Sequence, residues 1–190
     1  MFNTKKQLVL GSKSPRRQQL LRDLGFEFTV QTQEIEENYP SHLQGAAIAE
    51  YLALKKAQAF SSVLNSNQMV LCSDTVVWLN GESLAKASNE SEAREMLQKL
   101  SGQSHQVITA FCLLSQDKTV CKSDSTLVQF KKLSEQEIEH YITHYQPFDK
   151  AGAYGIQEWI GMWGIEKIEG SYFTVMGLPT HLVAQELLHF

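Results

Sequence analysis

The chain has 190 residues, 43% of them hydrophobic, and 17 basic against 21 acidic side chains give a formal net charge of −4. That length allows one domain, residues 1–190, with one or two lobes and a sizeable core, and the composition excludes a disordered chain. The negative charge speaks against a general nucleic-acid coat or a membrane-surface protein, but leaves room for a small anionic ligand in a local basic pocket.

No apolar run approaches the roughly 18 residues of a membrane span. The apolar part of MFNTKKQLVL is too short for a signal peptide. The three cysteines, Cys72, Cys112 and Cys121, lie in strand-like runs without metal-ligand spacing. They are expected as buried thiols in a reducing compartment, with the cytoplasm as the default location.

Taken in order, residues 8–10 (LVL) predict a strand, followed at once by Gly11 and the hydroxyls of Ser12 and Ser14. Ser14 is the expected N-cap and Pro15 the first residue of a helix. Backbone N–H groups at such a strand–turn–helix junction favour an anion. Arg16 and Arg17 stand in that first turn, where cations are disfavoured by the helix dipole. Guanidinium groups beside a hydroxyl-lined anion pocket suit phosphate.

The first helix runs to Leu24, with Gly25 as its cap. Residues 26–32 alternate as a half-buried strand. Glu34, Glu36 and Glu37 then crowd a loop closed by Tyr39-Pro40 and need a cation nearby. Residues 45–64 predict a helix with Lys55 and Lys56 in its middle. Adjacent helix positions differ by about 100°, so one lysine leans inward, and Lys56 is the better candidate.

Residues 69–79 (MVLCSDTVVWL) predict a buried central strand. Asp74 interrupts it between Ser73 and Thr75, and a carboxylate there is costly unless paired or metal-bound. Asn80-Gly81 signals a hairpin, with Lys86 just beyond the short return strand. Residues 88–100 predict a capped helix. Residues 105–114 and 119–130 predict two long strands joined at Gln116-Asp117-Lys118, with His105 in a structural hydrogen-bonding role. Ser134 and Glu137 form a capping box on the next helix. In PFDKAGAYGIQ (147–157), small residues allow close backbone approach to a ligand, Lys150 adds a cation, and Gln157 offers both donor and acceptor. Residues 162–168 and 172–176 predict a last pair of strands, and Pro179 starts a final helix.

Several of these stretches occur in one order: SKSPRR, EE…YP with the lysine-bearing helix, SDTVV with a following lysine, LSGQSHQV, DKAGAYGIQ and EGSYFTVMGLP. Together they resemble the Maf family of nucleoside triphosphate pyrophosphatases over essentially the whole chain. The SPRR form, with DT in the central strand and GIQ near the end, resembles the dTTP- and UTP-preferring branch. The chain departs from the family at Gly11, where alanine is usual, and at Ala87, where proline usually follows the lysine. It also departs in EWIGMWG after Gln157, whose Trp159 and Trp163 bear on the pocket rim.

The resemblance implies an α/β fold, a long twisted mixed sheet flanked by helices, with two lobes and a cleft between. It implies hydrolysis of a triphosphate to the monophosphate and pyrophosphate. Asp74 would be the base; Glu37 and Asp74 would hold Mg²⁺ or Mn²⁺; Ser12, Ser14, Arg16, Arg17, Lys56, Lys86 and Lys150 would bind the substrate. Arg16, Thr75 and Gln157 would choose the base. A homodimer is expected by resemblance alone, and neither nucleic acid nor membrane is an expected partner. The alternative is a nucleotide-binding regulator of cell division and septum formation with little turnover.

Overall fold

The structure is a computed structural model that describes residues 4–190. The strands are β1 (Gln7–Leu10), β2 (Thr29–Val30), β3 (Gln68–Leu79), β4 (Glu82–Leu84), β5 (Ser104–Leu114), β6 (Thr119–Phe130) and β7 (Ile165–Glu169). The helices are α1 (Pro15–Asp23), α2 (Ala46–Gln58), α3 (Glu90–Leu100), α4 (Glu135–Tyr145), α5 (Trp159–Gly164), α6 (Tyr172–Met176) and α7 (Thr180–His189), with a 3-10 turn over Pro147–Asp149.

The strands form one mixed sheet in the order β2-β1-β3-β5-β6-β7, with β4 folded back on the end of β3. β2, β1 and β3 are parallel, while β3, β5, β6 and β7 run antiparallel. Asn80 and Gly81, at φ of 50° and 87°, supply the left-handed pair that a tight β3–β4 turn requires.

Three strands of 11 or 12 residues, β3, β5 and β6, run through both lobes. At one end, α2 and the turn after it cover one face of the sheet, packing Ile48, Leu52 and Phe60 on Val9, Val70 and Cys72. The opposite face packs Leu8, Leu10 and Leu71 against Leu20 and Leu21 of α1 and Val183 and Leu187 of α7. At the other end, Val77, Val107, Val128 and Phe130 join Leu97, Tyr141 and Ile160 from α3, α4 and α5 in the core of the second lobe.

The local signals act as expected at most element ends. Ser14 Oγ accepts from Arg17 N–H at 3.4 Å, with Pro15 at the first helical position. Ser134 and Glu137 close a reciprocal capping box on α4. His105 is buried and its Nε2 lies 2.7 Å from the Tyr154 hydroxyl.

Four expectations need correction. The strand expected over 26–32 reduces to Thr29 and Val30, both exposed at the sheet edge. The helix expected to residue 64 ends at Gln58, and the following residues form turns. Met162 and Trp163 belong to α5, and residues 172–176 are helical despite a β-branched and aromatic composition. Gly177 at φ 106° closes that turn, with its own N–H and that of Leu178 both donating to the Phe173 carbonyl. The Thr109 hydroxyl also donates to the Thr174 carbonyl at 2.7 Å, so the packing beneath the segment rewards the helical turn. Finally, Cys112 and Cys121 are not free thiols. They face each other across β5 and β6 with Cα atoms 4.1 Å apart and form a disulfide, leaving Cys72 free and buried.

Candidate active site

A cleft of about 920 Å³ separates the lobes. Every residue put forward from the sequence lines it: Ser12, Ser14, Arg16, Arg17, Glu37, Lys56, Asp74, Thr75, Lys86, Lys150 and Gln157. The middle of β3 forms its floor. Successive strand residues point to opposite faces, so Asp74 shares the parity of Val70, Cys72 and Val76 beneath α2, and Thr75 points the other way toward α1 and α6.

On the α2 side, the Lys56 ammonium is the node. It donates to Asp74 Oδ1 at 2.6 Å and lies 2.7 Å from Glu37 Oε1. The other Glu37 oxygen lies 3.2 Å from Lys86 Nζ. Burial acts to raise the Glu37 pKa, but the hydrogen bond and charge of Lys56, with the charge of Lys86, hold it at about 2. The crowded acidic loop is thereby stabilised by cations from both lobes. Lys55, one position before it, faces out and donates to Asn38 instead.

On the other face, the guanidinium of Arg17 is fixed by two hydrogen bonds. Its Nε donates to the Gly177 carbonyl at 2.8 Å and its Nη2 to Thr75 Oγ1 at 3.0 Å. Thr75 Oγ1 is also 3.0 Å from Thr109 Oγ1. The Thr75 hydroxyl is thus engaged in holding Arg17. Burial lowers the Arg17 pKa while nearby Asp74 raises it, and the group remains a cation. Ser12 and Ser14 shape the turn before it: Ser12 Oγ accepts from Ser14 N–H at 3.2 Å. Arg16 reaches across the cleft to Asp149 Oδ2 at 3.3 Å.

The second lobe supplies the facing wall. Lys86 and Ala151 form an isolated antiparallel bridge, and Gly152 N–H donates to the carbonyls of Leu84 and Ala85. Gly152 has φ of 66°, and a Cβ there would lie 3.0 Å from Val77 Cγ1, so this close crossing requires glycine. Lys150 is buried and paired with Asp149 at 2.6 Å and Glu158 at 3.0 Å. Gln157 is exposed on the cleft.

Trp159 and Trp163 do not reach the rim. They stack on each other, Trp159 packs edge-on against His140, and Trp163 Nε1 donates to Glu137, all on the α4 side of the lobe. Asp149, Glu158, Tyr141 and Thr109 escaped the sequence reading. Asp149 stood beside Lys150 in a stretch already singled out, whereas nothing local marks the other three.

The geometry suits a divalent cation. The carboxylates of Glu37 and Asp74 come from different elements and converge within 2.7 Å of one ammonium. Hard oxygen donors that can meet at one cation suit Mg²⁺ or Mn²⁺. Among the described residues no group of three or more His, Cys, Asp or Glu is placed to enclose a metal. Two carboxylates, with the rest left to phosphate oxygens and water, is the habit of Mg²⁺.

Comparison with known proteins shows the family. A family model described as Maf-like protein matches residues 7–190. The dTTP/UTP pyrophosphatase of Flavobacterium psychrophilum is 49% identical over 187 residues, 98% of this chain and 95% of that one. The dTTP/UTP pyrophosphatase of Bacteroides fragilis is 46% identical over 181 residues, 95% and 94% of the two chains. Among solved structures, the Ham1 protein of Staphylococcus aureus gives a TM-score of 0.50 at 18% identity over 66% of this chain and 72% of that one, a likeness of fold alone. A match over nearly the whole chain, joined to a two-lobed mixed sheet with the expected residues gathered in its cleft, shows that this protein belongs to the Maf family.

Proposed function

We propose that the chain is a nucleoside triphosphate pyrophosphatase that hydrolyses dTTP and UTP to the monophosphate and pyrophosphate. The observation that carries this reading is the Lys56 node, which brings Asp74 and Glu37 together in a cleft faced by Arg16, Arg17, Lys86 and Lys150. The naming of relatives at 49% and 46% identity supports the substrate pair. It also favours an enzyme over a nucleotide-binding regulator.

The triphosphate carries several negative charges, and its hydrolysis is mainly a problem of neutralising and positioning them. Arg17, fixed by Thr75 and Gly177, presents its remaining N–H groups to phosphate from the start of α1. Arg16 exchanges its exposed partner Asp149 for a phosphate oxygen. From the second lobe Lys86 exchanges Glu37, and Lys150 exchanges Asp149, for phosphate oxygens, and Lys56 holds the two carboxylates together and oriented until the substrate enters. Water adds across the anhydride between the α and β phosphates. Asp74 accepts the water proton at the oxygen now facing Lys56, and pyrophosphate leaves. Glu37 and Asp74 would hold a Mg²⁺ or Mn²⁺, which would supply charge neutralisation and a more acidic water.

Gln157 complements the O4 and N3–H edge of thymine or uracil. Cytosine offers an amino group and a bare N3 at those places, so the same amide orientation leaves polar atoms unpaired and rejects it. No helix of the described residues is long and apolar enough to cross a membrane. Soluble nucleotides in the cytoplasm are the fitting substrate pool, and a homodimer is the assembly to test by sedimentation.

The deciding experiment is pyrophosphate release from dTTP with Mg²⁺ in wild type and Asp74→Asn. The variant, still folded by circular dichroism, is expected to lose on the order of 10²–10⁴ in rate, the worth of a general base. Near-normal turnover with the same metal dependence would remove Asp74 from the mechanism. Tight nucleotide binding by the wild type without turnover would replace the enzyme by the regulator.

A further inference from the structure

Gln157, the residue assigned above to the base, sits in a turn that is held from outside the cleft. Glu158 N–H donates to the Gly155 carbonyl at 3.0 Å and closes the turn around Gln157. Tyr141, fully buried on α4, touches both ends of it through its hydroxyl. The hydroxyl accepts from Gly155 N–H at 3.0 Å and donates to the Glu158 carboxylate. The other oxygen of that carboxylate lies 3.0 Å from Lys150 Nζ.

The packing leaves no slack. A Cβ on Gly155 would lie 3.0 Å from both Glu158 Cδ and Lys150 Cε. The same hydrogen-bonded chain continues through Lys150 and Asp149 to Arg16 on the first lobe. Tyr141 comes from a helix whose start is fixed by a capping box, so its hydroxyl is a rigid reference point. Burial and the neighbouring Glu158 charge both push the Tyr141 pKa up, so the phenol stays protonated and remains a donor.

We propose that Tyr141 is a positioning residue for base selection, its hydroxyl clamping both ends of the Gly155–Glu158 turn so that Gln157 is carried to one fixed place on the cleft wall. This rests on the dTTP and UTP reading above. A turn free to shift would let the Gln157 amide follow whichever edge the base presents, cytosine included, whereas a fixed turn sets the distance and angle at which that amide meets the O4 and N3–H edge. Discrimination therefore depends on the clamp as much as on Gln157.

The test is kcat and KM for dTTP, UTP, CTP and GTP in wild type, Tyr141→Phe and Glu158→Ala. Tyr141→Phe keeps the ring and removes only the hydroxyl. The expected result is a KM for dTTP and UTP raised about tenfold, the worth of one buried hydrogen bond, with kcat changed less than about twofold. The UTP-over-CTP preference falls by a similar factor. Glu158→Ala releases the turn from its other end and is expected to shift the same ratio, which keeps the inference testable if Tyr141→Phe folds poorly. A uniform loss of kcat on all four substrates with unchanged ratios would make Tyr141 merely structural and overturn the proposal. Unchanged ratios with unchanged rates would overturn it too. A wild type that turns over all four bases equally would instead refute the selectivity reading itself, and the clamp with it.

Discussion

Gly11 and Cys72 form a steric pair at the turn between β1 and α1, and a double-mutant cycle can measure it. In Gly11→Ala the new Cβ would stand 2.4 Å from Cys72 Sγ, 3.1 Å from Phe60 Cε2 and 3.2 Å from Val70 Cγ2. All three neighbours are buried in one cluster, so none can swing into solvent. Overfilling a packed core costs typically 1–3 kcal/mol, and a 2.4 Å approach belongs in that range, at about 2 kcal/mol. Cys72→Ala alone removes the sulfur and its weak contact to the Gly11 carbonyl at 3.8 Å. That leaves a small void at a cost of about 1 kcal/mol. In the double variant the methyl introduced at position 11 enters the space that the sulfur vacated. The two costs should then cancel in part, with a coupling of about 1–3 kcal/mol. Burial pushes the Cys72 thiol up to about 12, so it is neutral throughout and the coupling is steric. Urea unfolding of the four proteins, followed by tryptophan fluorescence and circular dichroism, gives the cycle. Costs that add within about 0.5 kcal/mol would refute the reasoning.

Arg17→Ala is expected to lose roughly 1.5–3 kcal/mol of triphosphate transition-state stabilisation, the value of a charge-assisted hydrogen bond. In kcat/KM for dTTP that is about 10- to 150-fold, with the dTTP-to-CTP ratio unchanged; an altered ratio at full rate would reassign Arg17 to the base. Burial lowers the His105 pKa to about 4, so the folded protein stays neutral there while the unfolded chain takes a proton below about 6.5. Stability should therefore be intact above about pH 6.5 and fall by up to about 3 kcal/mol as the pH drops to about 4. His105→Gln, able to keep a contact to the Tyr154 hydroxyl, should flatten that slope in urea midpoints measured between about pH 7 and 4. An equally steep profile in the variant would exclude His105 as its source.

The sequence alone determined the elements whose instructions are local. Ser14-Pro15 starts α1, Ser134 with Glu137 starts α4, Asn80-Gly81 turns β3 into β4, and the apolar run around Asp74 marks the central strand. It also marked several residues that line the cleft, because a carboxylate in a buried strand and two arginines in a first helical turn break local rules, as residues at functional sites do. Lys56 was legible for a similar reason: of two adjacent helical lysines, only one can face the core.

Tertiary structure decided the rest, because it depends on partners distant in the chain. Residues 172–176 carry a strand's composition, yet the Gly177 closure and the Thr109 hydroxyl make them a helical turn. Thr75 reads as a hydroxyl beside Asp74 that helps to choose the base, but strand alternation turns it toward Arg17, 58 positions earlier, whose guanidinium it holds. Trp159 and Trp163 lie just after Gln157, yet the helix they belong to carries them onto α4 and away from the cleft. The pairings of Cys112 with Cys121 and of Tyr141 with the Gln157 turn follow from register and packing between separate elements. Spacing along the chain does not encode such contacts, since they exist only once the sheet has set which side chains share a face.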